Sequence, residues 1–80
     1  MYYKNCIYRC YVTMRNGSVK VIRMAYDRIA HIVSEFRKMQ RSIFRDRVVL
    51  TVNGVTFTLS DVVRLVFKNE RTGDELLTVE

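Results

Sequence analysis

The stretch "CYVTMRNGSVKVIRM", residues 10–24, sets the first part of the fold. Two runs rich in strand-forming residues flank Asn16-Gly17, and Asn-Gly is the commonest pair in the tight turn of a β-hairpin. Pairing about a two-residue turn predicts two faces for this hairpin. One face combines Cys10, Val12, Met14, Val19 and Val21, and the other combines Arg9, Tyr11, Thr13, Lys20 and Ile22.

The stretch "RVVLTVNGVTFTLS", residues 47–60, repeats the same signal around Asn53-Gly54. A two-residue turn here sets Leu50 opposite Phe57 and Val52 opposite Val55. It also sets Val48 opposite Leu59. The threonines then fall on the other face, so one face is apolar and the other is polar. We therefore predict a second hairpin with one side in the core.

Between the two hairpins, the stretch "AYDRIAHIVSEFRKMQRSIF", residues 25–44, has helical periodicity without Gly or Pro. Its apolar residues repeat at spacings of three and four, which predicts an amphipathic helix with one buried stripe. That stripe consists of Ile29, Ile32, Val33, Phe36, Met39 and Ile43. Asp27 near the start and arginines near the end both suit the helix dipole.

The last stretch, residues 60–80, contains β-forming residues on both sides of a turn-like "RTGD". Ser60-Asp61 is able to cap a short helical turn. We predict strands near 63–69 and 74–79. The fold class is then α+β: an antiparallel sheet of β-hairpins with one amphipathic helix packed on one face, in the order ββαββ followed by a further β-hairpin. Residues 1–80 form a single small domain in this interpretation.

Charge is unevenly distributed along the chain, whose formal net charge is +6. Residues 1–47 carry 11 Lys/Arg against three acids, which gives +8, whereas residues 48–80 carry three against five, which gives −2. This asymmetry predicts one basic surface. Cys6 and Cys10 lie about 13 Å apart if both are in one strand, too far for a disulfide, which favours a reducing, cytoplasmic setting. No apolar run is long enough for a transmembrane segment, so no membrane partner is expected.

Catalytic chemistry has little support in these residues, and we expect a protein that is not an enzyme. His31 is the single histidine, at the edge of the polar side of the helix. A catalytic set would have to combine it with Cys6 or Cys10, and no local motif does so. Cys-x3-Cys plus one histidine is a weak match to a zinc site, and phosphate-binding glycine motifs are missing. We therefore expect neither a metal nor a cofactor.

A row of cations late in the helix is the strongest candidate for a binding surface. Arginine forks fit phosphates and carboxylates alike, and Arg and Tyr are enriched where proteins bind one another. The residues expected to contact a partner are Arg37, Lys38, Arg41 and Arg45 on the helix and Arg9 and Tyr11 on the first strand. The expected partner is a host protein or nucleoprotein complex, and a homodimer is a further option.

Direct binding of RNA or DNA is the alternative prediction. Cations supply phosphate contacts, and aromatic residues interleaved with cations on an open sheet face are able to stack on bases. The aromatic residues considered for stacking are Tyr2, Tyr3, Tyr8 and Tyr11.

The segments "RNGSVKVIRMAYDRIAHIVSEF" (15–36) and "VLTVNGVTFTLSDVVRLVF" (49–67) together resemble small accessory proteins of phages and mobile elements. The shared features are a hairpin, a helix that follows a strand, and then "NG" and "LSDVV"; they cover residues 12–67. Many such proteins inhibit host defence, anti-CRISPR proteins among them, by direct contact with a nuclease or effector complex. Several that mimic nucleic acid are acidic, whereas this chain is basic. The resemblance thus implies an inhibitor that docks on its target or competes for nucleic acid.

Overall fold

The computed structural model describes residues 6–41 and 48–80. In chain order the elements are β1 (Ile7–Met14), β2 (Val19–Ala25), α1 (Tyr26–Arg41), β3 (Val49–Val52), β4 (Val55–Thr58), a 3-10 turn (Leu59–Asp61), β5 (Val62–Asn69) and β6 (Glu75–Val79). This is the predicted α+β arrangement of three hairpins and one helix. The two strands predicted in the last stretch are confirmed, each within one residue of its predicted limits.

The strands form two antiparallel sheets, a four-stranded one in the order β2-β1-β5-β6 and a two-stranded one made of β3 and β4. The first strand is therefore central, with β2 on one side and β5 on the other. Because β5 comes from the far end of the chain, this pairing joins the two oppositely charged halves. Arg9 and Tyr11 consequently lie in the middle of the large sheet.

The core lies on one face of the four-stranded sheet, beneath α1 and the β3–β4 hairpin. Four residues of the predicted helical stripe are buried, Val33 is half-buried against them, and Ile43 lies outside the described residues. Phe57 and Leu59 join the same cluster from the hairpin side. No helix within residues 6–41 and 48–80 has the length and apolar character needed to cross a membrane.

The second hairpin has the predicted register. Asn53 and Gly54 have φ values of 49° and 82°, as a two-residue turn with two left-handed residues requires. Leu50 pairs with Phe57, and Val52 pairs with Val55. The apolar face of this hairpin is therefore the one that packs on the core.

The first hairpin differs from the prediction by one residue. Here only Gly17 of the Asn-Gly pair has a positive φ, of 91°, and its N–H donates to the Met14 carbonyl. The loop thus has three residues, a common alternative in hairpins. Pairing shifts, so Tyr11 faces Val21 and Cys10 faces Ile22.

This shift reverses the two faces of β2, since side chains alternate along a strand. The predicted placement of Val19 and Val21 with the core-facing residues of β1 is wrong: they are 52% and 48% exposed. Ile22 was predicted on the opposite face and is instead buried, with 1% exposure. Asn16 Oδ1 accepts hydrogen bonds from the N–H and the hydroxyl of Ser18, at 2.9 and 2.7 Å. These local bonds favour the three-residue loop.

Candidate binding surfaces

The predicted binding residues divide between two opposite sides of the domain. Arg9 and Tyr11 lie on the face of the large sheet that turns away from the core. Lys38 and Arg41 project from the side of α1 opposite its buried stripe, and Arg37 lies at the border of that side. Arg45 lies outside the described residues. The five described residues therefore form two surfaces and not one.

The helical cations, Arg37, Lys38 and Arg41, form what we call the basic helix side. All three are exposed. Lys38 Nζ lies 3.3 Å from Glu35 Oε2, one turn back along the helix. Among the residues that the structure describes, no carboxylate oxygen lies within 4 Å of a guanidinium nitrogen of Arg37 or Arg41.

The outward face of the large sheet, which we call the open sheet face, is organised in rows by strand register. In the middle row, Tyr11 pairs with Val21 on one side and with Val66 on the other. We call these three residues the Tyr11 row. Val21 is exposed, whereas Tyr11 and Val66 are half-exposed. Apolar area contributed by three adjacent strands therefore faces solvent at the centre of the sheet.

The next row along the strands is cationic, with Arg9 paired to Arg23 and to Lys68. Glu70 follows β5 and binds both arginines. Arg23 Nε lies 2.5 Å from Glu70 Oε2 and Arg23 Nη2 donates to Oε1 at 3.1 Å, while Arg9 Nε lies 3.7 Å from Oε2. The hydrogen bond from Arg23 lowers the pKa of the Glu70 carboxyl, and the same bond raises the pKa of Arg23.

Other cations of the open sheet face are also engaged. Lys68 Nζ lies 5.6 Å from the centre of the Tyr11 ring, within the range of a cation–π contact. Arg64 Nε lies 3.1 Å from Glu80 Oε1. This face therefore presents ion pairs around an apolar row. On the basic helix side, in contrast, the guanidinium groups of Arg37 and Arg41 have no carboxylate partner among residues 6–41 and 48–80.

The two thiols and the histidine differ in their exposure to solvent. Burial raises the pKa of the Cys10 thiol to about 12, so the thiolate is scarce at neutral pH. Cys6 is half-buried, and neither Cys6 nor Cys10 is in a disulfide. His31 is exposed on the helix. In the described part of the chain, no three His, Cys, Asp or Glu residues are grouped so as to hold a metal ion.

Sequence reasoning missed most of the open sheet face. The prediction for Val21 is wrong because the first hairpin has a three-residue loop. The sequence signal for that loop is Ser18, which directly follows Asn16-Gly17 and binds the Asn16 side chain. Lys68 and Val66 reach this face because β5 pairs with β1, a long-range contact that no local pattern indicates. Tyr8, considered for base stacking, is buried, with 2% exposure. Tyr2 and Tyr3 lie outside the described residues.

Comparison of the chain with protein-family models, curated proteins and solved structures finds no match.

Proposed function

We propose that this protein is a non-catalytic binding module that blocks a nucleic-acid-handling host complex by docking on one of its proteins through the open sheet face. The observation that supports this proposal is the Tyr11 row, a partly exposed apolar row with the cationic row of Arg9 on one side and Arg64 on the other. Protein interfaces share this layout of an apolar centre and a polar rim, with Tyr and Arg among their enriched residues.

The charge pairing on the open sheet face favours a protein partner over a nucleic acid there. Arg9, Arg23 and Arg64 each have a carboxylate within 4 Å. A phosphate would have to displace these carboxylates, whereas a protein rim accommodates such pairs. The Tyr11 ring already has Lys68 over it, and bases stack on free aromatic faces.

The resemblance to phage and mobile-element accessory proteins indicates the class of partner. It suggests a nuclease or effector complex of host defence, as for anti-CRISPR proteins. The basic helix side would speed the approach to such a complex, because positive charge steers association with an anionic target. In this arrangement the open sheet face makes the contact, and the charge on the opposite side affects the association rate.

Affinity capture from a nuclease-treated host lysate tests this proposal with three immobilised baits. They are the natural chain, Val21→Glu in the Tyr11 row, and Thr51→Glu on the solvent face of the small hairpin as a control. Circular dichroism and thermal melting show that each bait is folded. We expect a nucleic-acid-handling protein to bind the natural chain and the control but not Val21→Glu. Equal capture by all three baits, or loss of every specific partner after nuclease treatment, would refute the proposal.

Direct binding of RNA or DNA is the second candidate. The observation that favours it is that Arg37 and Arg41 have no carboxylate partner within the part of the chain that the structure describes. Each phosphate neutralised gives a slope of about −0.9 in log K against log[salt] for duplex DNA. Fluorescence anisotropy with duplex and single-stranded probes should give a duplex slope of about −2 to −3 for the three cations of the basic helix side. Arg41→Ala should reduce that slope by about 1, and Arg64→Ala, whose guanidinium is already paired, should change it less. Absence of binding at low salt would exclude this candidate.

A further inference from the structure

A groove of about 490 Å³ runs between α1 and β6 on the helix side of the large sheet. It is lined by Tyr26, Ile29, Ala30, Val33, Ser34, Leu76 and Leu77. Most of these side chains are apolar, and Leu77 is 37% exposed. β6 is an edge strand of the large sheet, so within the described residues no further strand lies beyond it. The β3–β4 hairpin lies at the other edge, where the Asn53 side chain donates to the carbonyl of Arg23 in β2.

We propose that a second copy of this chain covers the groove, with the two α1 helices packed antiparallel about a twofold axis. A twofold interface requires a surface that is complementary to itself. The exposed stripe of α1 that borders the groove has this property. Its members Asp27, Ala30, Ser34 and Arg37 follow one another at spacings of three and four, and Ala30 and Ser34 line the groove. The two charged residues stand at opposite ends of this stripe. In one copy neither side chain has an oppositely charged group within 4 Å among the described residues. Antiparallel packing sets each Asp27 opposite Arg37 of the other copy.

The same register places the smallest side chains of the helix at the centre of the contact. If Asp27 lies opposite Arg37 of the second copy, Ala30 lies opposite Ser34 of that copy, because both pairs are centred on position 32. Small residues let two helices approach closely, within the usual distance of about 8–10 Å between axes. Leu76 and Leu77 then lie beneath the paired helices. The two helix dipoles also point in opposite directions, which is the favourable arrangement.

Pairing of two β6 edges is a less suitable way to cover the groove. An antiparallel β6 pair centred on Leu77 sets Asp74 of each copy opposite Glu80 of the other. Like charges directly opposite each other destabilise a strand pair. The self-complementary element is therefore the helix. The open sheet face lies on the opposite side of the domain, so this dimer goes beyond the proposed function and leaves the Tyr11 row exposed.

Light scattering and sedimentation equilibrium from micromolar to millimolar protein test the dimer. The natural chain should approach twice its mass of 9.5 kDa as concentration rises. Asp27→Arg and Arg37→Asp each replace two attractive cross-pairs by two repulsive ones. Because two attractions are lost and two repulsions are gained, either change should weaken dimerisation by roughly 10- to 100-fold. The double variant Asp27→Arg/Arg37→Asp restores opposite charges and should recover the dimer.

Arg28→Glu, next to Asp27 but on the other flank of the helix, is the matched control and should leave the dissociation constant unchanged. Thermal melting distinguishes loss of the dimer from loss of the fold, since a charge change in the first helical turn also affects α1 itself. A monomer at every concentration would overturn the proposal. A dimer that survives both single reversals, or one that the double variant fails to restore, would overturn it as well. Neither result bears on capture through the open sheet face.

Discussion

The register of the first hairpin can be tested at two adjacent residues, Val21 and Ile22. The structure predicts that truncating Ile22 lowers the free energy of unfolding more than truncating Val21 does, whereas the faces predicted from the sequence give the reverse order. Ile22 is 1% exposed and pairs with Cys10, which is fully buried. Val21, its neighbour in the chain, is 48% exposed on the other face of the sheet. A two-residue turn would have exchanged these environments. Truncation of each side chain to alanine therefore tests the three-residue loop.

The expected magnitudes follow from burial. Truncating a buried Ile to Ala costs about 2–5 kcal/mol, because the apolar contact is lost and a cavity remains. Val21→Ala removes a half-exposed side chain, so its cost reflects mainly strand propensity, within about 1 kcal/mol. A domain of this length has a total stability of about 4–12 kcal/mol. Ile22→Ala alone should therefore remove a large part of the free energy of unfolding.

Urea denaturation followed by circular dichroism measures both costs, with the midpoint and slope fitted separately. Ile22→Val is the milder version, at about 0.5–1.5 kcal/mol, and keeps the comparison possible if Ile22→Ala does not fold. Val21→Thr is its matched partner on the exposed face and should change stability by less than about 0.5 kcal/mol. A greater loss at position 21 than at position 22 would refute the three-residue loop and the faces derived from it.

Three further predictions concern a thiol, an ion pair and a turn. Alkylation at pH 8 should label Cys6 before the buried Cys10. Above pH 9, the free energy of unfolding should fall by about 1.4 kcal/mol per pH unit, because the pKa of Cys10 is higher in the folded than in the unfolded chain. The Cys10→Ala variant should lack this slope. The Glu70 carboxyl should titrate by NMR below an ordinary glutamate, and Arg23→Ala should raise its midpoint; an unchanged midpoint would contradict the pairing. Gly54→Ala should lower the free energy of unfolding, measured in urea, by about 1–2 kcal/mol, since φ at this position is +82°. An unchanged free energy would exclude the left-handed Asn53-Gly54 turn.

The helix and the hairpins could be predicted because their signals are local. The stripe from Ile29 to Met39 repeats at helical spacing without interruption, and its described members are buried or half-buried in the structure. The same dipeptide, Asn-Gly, nevertheless forms two different turns in this chain. After Asn53-Gly54 comes Val55, and both turn residues are left-handed. After Asn16-Gly17 comes Ser18, whose bonds to Asn16 favour a longer loop.

The candidate site was less predictable because it depends on which strands become neighbours. Arg9 and Tyr11 were selected from composition in the first strand alone. Their surroundings come from β5, more than 50 residues later in the chain, which brings Val66 beside Tyr11 and Glu70 to Arg9. Periodicity indicates which face of a strand is buried, but it contains no information on strand order. No sequence pattern could therefore predict the pairing of Arg9 with Glu70.

The pairing of Arg9 with Glu70 shows that the cations counted in the net charge differ in their surroundings. A count of cations suggests that Arg9 and Arg41 contribute alike to an anion-binding surface. The structure separates them, because Arg9 shares Glu70 with Arg23, whereas Arg41 has no carboxylate within 4 Å among the described residues. Exposed ion pairs contribute little to stability, but they hold side chains in position and reduce the local field. The open sheet face has two carboxylates, of Glu70 and Glu80, among its cations, so its positive charge is reduced and not abolished. Under the proposed function, added salt should slow association with the partner more than it speeds dissociation, because the charges act on the encounter over a distance whereas the apolar Tyr11 row makes the contact.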